Sequence, residues 1–255
     1  MSNTIHIFEN LTVTDFDAGA VFSGSPSGKV VKGYAAPSPF TPAIDANYIF
    51  HEQSRDIMVW FIGSPSRPPD PLYVYGATGS GKTSVVKQLA AKLNYPVFEV
   101  TGHSRLEFPE LIGHLVVRQG NMEFEYGPLA LAMRYGGVFL CNEIDLLDPS
   151  TAAGLNSILD GAPLCIPENG GELVVPHPMF RFAATANTNG GSDETGLYQG
   201  TMRQNLALMD RFVLCEVTYP KPEAEEQLLE KTAPQLPEPL RKKMVEYANE
   251  VRRLF

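Results

Sequence analysis

The chain has 255 residues, 44% of them hydrophobic, and a formal net charge of −9 at pH 7. This length supports a full α/β core with room for a small second unit, while the acidic balance argues against a broad DNA-binding face, which is built from clustered Lys and Arg. Cys141, Cys165 and Cys215 are odd in number and form no CxxC pair, so they predict buried thiols in a reducing cytosol rather than a disulfide framework or a zinc site. The N-terminus lacks a signal-peptide pattern and no run approaches the roughly eighteen apolar residues of a membrane span, so a cytoplasmic protein without membrane contact is expected. The five histidines show no ligand spacing such as HxxxH.

Residues 1–44 alternate short β-prone runs with Gly, Ser and Pro clusters. They predict a strand-and-loop extension that either packs on the main domain or serves as a partner-binding arm. From Asp45 the pattern changes to alternating helices and apolar strands, the signature of a parallel sheet with crossover helices. Leu72 to Tyr75 form a short β-prone run, and Ser84 to Leu93 carry apolar residues at helical spacing. Between them Gly76, Ala77, Thr78, Gly79, Ser80, Gly81, Lys82 and Thr83 complete the pattern GxxxxGK[ST].

Strand, glycine loop and helix in that order make a phosphate-binding loop. The glycines let backbone N–H groups curl around the β-phosphate, and a helix starting near Gly81 directs its positive dipole end at the anion. Lys82 then reaches the β- and γ-phosphates, and the Thr83 hydroxyl is a ligand for Mg²⁺, so ATP and Mg²⁺ are the expected cofactors. Ser84 continues the phosphate-binding segment.

Further strands are predicted at Val97 to Thr101, Val138 to Cys141, Phe182 to Thr185 and Phe212 to Val217, each ending at a polar residue. Ligands of open α/β sheets bind at the carboxyl ends of the strands, so chemistry is expected there. Leu115 to Tyr126 and Leu164 to Val175 read as hairpins turning at Gln119 to Asn121 and Asn169 to Gly171. Each is a surface hairpin or a functional insertion. Between them Asp148 and Pro149 start a helix as N-cap and N1 residues, and it ends near Gly161.

Gly137 to Glu143 give an apolar strand leading to Asn142 and Glu143. Glu143 suits a general base acting on the water that attacks the γ-phosphate. Position 142 ordinarily carries Asp beside the hydrated metal; Asn keeps an acceptor oxygen and loses the charge, which predicts weaker Mg²⁺ binding. Two readings stay open, a working hydrolase or an ATP-gated binding module with weak turnover. Asp145 could return a negative charge nearby, and Asn142→Asp is expected to raise Mg²⁺ affinity.

Asn187, after the Phe182 to Thr185 strand, is either a turn residue or a holder of the attacking water. Arg211 is either a surface arginine or a finger stabilising charge on a neighbouring subunit's ATP. Glu143, Asn187 and Arg211 together disfavour a small-molecule kinase, and no NKxD motif supports a GTPase.

The order GATGSGKT, GGVFLCNEID, FAATANT and MDRF resembles the MoxR-type AAA+ ATPases, and most of all their cobaltochelatase-type ATPase-subunit branch. His177 to Phe212 resemble that group nearly element for element, including TGLY at Thr195 to Tyr198, Gly200, Thr201 and Asn205. The likeness covers Asp45 to Pro220. It implies an AAA+ three-layer sandwich with Gly76 to Thr83 as Walker A, Glu143 as the Walker B acid, Asn187 as sensor 1 and Arg211 as the arginine finger. Thr83 and Asn142 fall on the metal side. DANYIF, with Tyr48 and Ile49, resembles the segment that holds adenine.

The hairpins resemble the helix-2 insert and the pre-sensor-1 hairpin, which in the family face a ring's pore and touch the client. A homo-oligomeric ring, expected to be a hexamer, a protein client and a partner with a von Willebrand factor A domain are implied by the same likeness. Residues 221–255 are too few for the family's helical lid, so only its start is expected, and no sensor 2 arginine is assigned. The expected organisation is therefore an extension at 1–44, an ATPase core at 45–220 and the beginning of a lid at 221–255.

Overall fold

A computed structural model of the chain describes residues 11–50, 52, 54–63, 70–191, 198 and 200–253. The first ten residues of the extension, His51 and Thr195 to Leu197 of the TGLY segment lie outside them. The described residues begin with strand β1 (Val13–Asp17), helix α1 (Ala18–Ser23) and strand β2 (Val30–Tyr34), followed by α2 (Ser54–Ile62). Next come β3 (Leu72–Tyr75), α3 (Lys82–Lys92), β4 (Val97–Thr101) and α4 (Phe108–Ile112), then the hairpin β5 (Gly113–Arg118) and β6 (Asn121–Tyr126). Helix α5 (Pro128–Tyr135) leads to β7 (Val138–Asn142), α6 (Pro149–Gly154) and α7 (Asn156–Leu159), and a second hairpin pairs β8 (Leu164–Ile166) with β9 (Glu172–Val174). Strand β10 (Arg181–Ala186), α8 (Leu206–Met209), β11 (Val213–Glu216), α9 (Pro222–Thr232) and α10 (Glu238–Arg253) complete it.

Five strands form one parallel sheet in the order β11-β3-β10-β7-β4. Two apolar layers cover it, because successive strand residues point to opposite faces. Tyr73, Phe139, Cys141, Phe182 and Ala184 pack with Leu129, Met133 and Ile158 on one face. Leu72, Val74, Val138, Leu140 and Ala183 pack with Ile57, Phe61, Val86 and Leu89 on the other. The result is the expected three-layer α/β sandwich.

The two insertions are hairpins as expected. Gln119 and Gly120 both have positive φ, 50° and 83°, and Arg118 pairs with Asn121, the geometry of a two-residue primed turn matching strand twist. Asp148 does cap a helix, accepting from the Ser150 N–H at 2.8 Å, but the helix breaks at Leu155 into α6 and α7 before Gly161 closes it with φ 82°. One expectation fails among the cysteines: Cys141 and Cys215 are buried, whereas Cys165 is exposed. It is the middle residue of β8, facing out between the buried Leu164 and Ile166.

Residues 11–44 share the core with the rest. The Tyr34 side chain is 1% exposed, meets Tyr95 edge-on at 5.5 Å and donates from its hydroxyl to the Gly136 carbonyl. Its backbone N–H donates to Leu93 O at 2.9 Å, and Asn94 Nδ2 returns a bond to Tyr34 O at 2.8 Å. Residues of this segment thus pack on the domain. Tyr34→Ala should cost about 3–5 kcal/mol, the range for emptying a buried aromatic site, with a matching fall in the urea midpoint; an unchanged midpoint would mean the segment is only loosely attached.

At the other end, α9 and α10 pair through Arg252 and Glu225 at 2.6 Å, and Arg252 lies over the Tyr219 ring at 4.1 Å. Among the described residues no helix is long and apolar enough to cross a membrane.

Candidate nucleotide-binding site

The loop after β3 depends on glycine where it must. Gly76 has φ 147°, and a Cβ there would stand 2.0 Å from Val217 O on the neighbouring edge of the sheet. Gly79 and Gly81 have φ 79° and 91°, and added Cβ atoms would meet nothing within 4 Å. Their bare backbone borders a cavity of about 270 Å³ lined by Thr78, Gly79, Gly81, Lys82, Thr83, Ser84, Asn142, Glu143, Thr185, Ala186 and Asn187. Ser80 turns inward, its Oγ buried without a partner.

Lys82 Nζ donates to Gly76 O at 2.7 Å, Ala77 O at 3.0 Å and Asn187 Oδ1 at 3.1 Å. Burial lowers its pKa, opposed by the carboxylates of Asp145 and Glu143. Asn187 Oδ1 also accepts from Thr78 Oγ1 at 3.4 Å. β10 lies between the strand before the loop and the strand before Glu143, and this strand order puts Asn187 against both.

On the other side of the cavity the Asn142 amide is held at both ends. Its Oδ1 accepts from Thr83 Oγ1 at 2.7 Å and Thr185 Oγ1 at 3.1 Å, and its Nδ2 donates to Glu99 Oε1 at 2.7 Å. Glu143, next in the chain, has φ 53°, a left-handed conformation rare for Glu and of the strained kind found at functional sites. Its side chain is exposed and lines the cavity.

A set of neutral and anionic oxygens around Thr83 and Asn142 fits a hard cation such as Mg²⁺, and the open glycine backbone above Lys82 fits a polyphosphate. Thr83 and Asn142 would hold the metal side, where the ion would neutralise phosphate charge. Gly79, Gly81 and Lys82 would hold the phosphates.

Ile49 lines a separate cavity of about 200 Å³ with Phe50, Tyr219, Pro220 and Ala224, joined to the loop by Tyr219 Oη donating to Thr78 O at 2.7 Å. Tyr48 lines neither cavity; it is half-buried against Phe50 with ring centroids 4.8 Å apart. Arg211 also lies apart, bound at Nε and Nη2 to the two Asp160 carboxylate oxygens at 2.8 and 2.9 Å. These two residues border a cleft of about 750 Å³ that shares no lining residue with the phosphate cavity.

Sequence reasoning gave Asp145 the task of a nearby charge. Its side chain is buried, and Oδ2 accepts from the Asn187 and Thr188 N–H groups at 3.0 and 3.1 Å, so it also fixes the backbone that carries Asn187. Thr185 was expected only as a polar strand end, and Glu99 and Tyr219 were missed altogether. Only the alternation of β4, which sets Glu99 and Thr101 on one face, hinted at Glu99.

An extra strand between the loop-bearing and acid-bearing strands, with an asparagine at its end, defines a P-loop NTPase of the additional-strand kind. Residues 71–212 match the AAA domain (dynein-related subfamily), and the chain belongs to that family, as a MoxR-type member. It is 30% identical over 207 residues to the aerobic cobaltochelatase subunit CobS of a Sinorhizobium species, covering 80% of this chain and 61% of that one. It is 30% identical over 186 residues to the denitrification regulatory protein NirQ of Stutzerimonas stutzeri, covering 72% and 64%. The chain therefore spans somewhat under two thirds of either relative. A solved structure of a candidate ATPase from Cytophaga hutchinsonii superposes with a TM-score of 0.51 at 22% identity, over 64% of this chain and 46% of that one, and supports the fold.

Proposed function

We propose that this AAA+ protein hydrolyses ATP in a homo-oligomeric ring, expected to be a hexamer, and uses the cycle to remodel, activate or load a partner protein. One observation carries the reading: Lys82, Thr83, Asn142, Glu143 and Asn187 surround one cavity, whereas Arg211 stands on a different surface. Among the described residues no arginine lines the cavity that holds the candidate base, and a ring would supply that arginine from the next subunit.

In this mechanism Lys82 and the loop backbone bind the β- and γ-phosphates. Glu143 takes the proton from the attacking water, and Asn187, tied to Lys82 and backed by Asp145, orients that water. Lys82→Ala is expected to abolish ATP binding in an equilibrium titration, since phosphate charge would be left uncompensated in the loop. Unchanged affinity would remove the loop from the mechanism. Steady-state phosphate release separates a hydrolase from an ATP-gated binding module: sustained release supports the first, binding without release the second.

Client contact is assigned to the two hairpins. Val117 and Met122, opposite each other on β5 and β6, are 74% and 68% exposed, and Leu173 on β9 is 64% exposed. Polar contacts tie the base of the first hairpin to the turn of the second: Tyr126 Oη donates to Glu172 Oε2 at 2.5 Å and accepts from Asn169 Nδ2 at 3.1 Å, while Arg134 of α5 pairs with Glu172. Exposed apolar side chains on hairpins tied to each other suit a protein client. A partner with a von Willebrand factor A domain, and a task close to that of cobaltochelatase subunits, are proposed on the family likeness.

A further inference from the structure

Behind the metal side of the cavity Asn142 belongs to a residue pair that the motif does not specify. Glu99 and Asn142 sit on neighbouring parallel strands, where Thr101 is registered with Asn142 and Glu99 with Leu140, so both side chains leave the same face one step apart. Glu99 Oε1 accepts from Asn142 Nδ2 at 2.7 Å, and Lys87 Nζ of α3 holds Glu99 Oε2, also at 2.7 Å. The Asn142 oxygen is thereby turned to the Thr83 hydroxyl at 2.7 Å. Lys87, Glu99, Asn142 and Thr83 form one continuous chain of hydrogen bonds.

An amide has a donor end and an acceptor end of nearly the same shape, and only its partners decide which faces the metal side. A carboxylate can only accept, so Glu99 binds the NH₂ end and leaves the oxygen toward Thr83. Turned the other way, the amide would set an N–H pair beside a cation site and a carbonyl oxygen against the Glu99 carboxylate.

We propose that Glu99 is a positioning residue for Mg²⁺, fixing the orientation of Asn142 so that a neutral side chain can do the work of the usual carboxylate. The pairing also explains why Asn stands at 142. An Asp there would put two carboxylates in contact, and Lys87 can neutralise only one of them. The gain in Mg²⁺ affinity expected for Asn142→Asp therefore requires that Glu99 be changed as well. This inference rests on the reading of Thr83 and Asn142 as the metal side.

The test is the affinity for ATP measured by equilibrium titration with Mg²⁺ and with EDTA, their ratio giving the Mg²⁺-dependent gain. Glu99→Gln retains an acceptor for Asn142 Nδ2 and should stay within about twofold of the parent. Glu99→Ala should lower the gain by about tenfold, the lower end of what lost outer-shell partners of a metal ligand cost, while the EDTA affinity stays at the parent value because Glu99 does not line the cavity. Asn142→Asp alone should give no gain over the parent. Combined with Glu99→Gln, whose amide can donate to the new Asp, it should exceed the parent by about tenfold.

A parent gain near unity would overturn the metal-side reading itself. A normal parent gain that Glu99→Ala leaves unchanged, or an Asn142→Asp protein that matches the double variant, would overturn the role of Glu99 alone.

Discussion

Arg211→Ala is expected to leave ATP binding nearly intact while lowering hydrolysis by about 10³-fold or more, the scale on which arginine fingers act. The subunit's own geometry motivates this. Arg211 lines a cleft separate from the phosphate cavity and is held by Asp160, so a direct role in its own site would require a large displacement. Mixing the variant with Lys82→Ala protein should recover activity. Each variant lacks one half of every site, but in randomly mixed rings about one interface in four joins an intact P-loop to an intact Arg211, as expected for head-to-tail contacts.

Because Arg211→Ala also breaks the Asp160 pair, Asp160→Asn is the matching control. It removes the carboxylate and keeps the arginine. That pair is solvent-exposed, and such pairs add little to stability, so the control should fold normally and hydrolyse ATP far faster than Arg211→Ala. Near-parent turnover in Arg211→Ala would mark a surface arginine. A severe loss without rescue on mixing would assign it to its own subunit and remove the ring mechanism as proposed.

The second large effect is expected at Glu143. Glu143→Gln preserves size and the capacity to accept a hydrogen bond, but the amide cannot take a proton, so turnover should fall by about 10²–10⁴-fold with ATP affinity unchanged. The left-handed backbone at this position, φ 53°, is stabilised from outside the side chain: Gly102 N–H donates to Asn142 O at 2.7 Å, and a Cβ on Gly102 would stand 2.4 Å from Glu143 O. The substitution should therefore leave the loop in place. Hydrolysis at the parent rate would put the base elsewhere; lost ATP binding would mean that Glu143 serves the architecture. The same variant, arrested with ATP bound, is the form with which to capture a client, and charge at the hairpin tips, as in Val117→Asp, should weaken that capture.

Much of the site could be read from the chain because its requirements are local. Gly76 to Thr83 are contiguous, their glycines answer backbone demands at single positions, and the flanking strand and helix have periodicities visible in a few residues each. The strand ends bearing Asn142, Glu143 and Asn187 were legible for the same reason, an apolar run stopping at a polar residue. The hairpin at Gln119 and Gly120 announced itself through turn chemistry.

What tertiary structure alone decided is which strand ends meet. Parallel strands are joined by long crossovers, so neither their order nor their register follows from local pattern. Only the order β11-β3-β10-β7-β4 puts Asn187 beside Lys82, and only the β4–β7 register brings Glu99 to Asn142. Asp145, three residues beyond Asn142, could be read as a charge but not as the acceptor of the Asn187 N–H, a contact that spans 42 positions. Likewise Arg211 and Asp160, 51 positions apart, become partners only because the end of α7 and the start of β11 border the same cleft. Short-range sterics and periodicity wrote the phosphate loop into the sequence; side chains far apart in the chain acquired their tasks only once the sheet had set their distance.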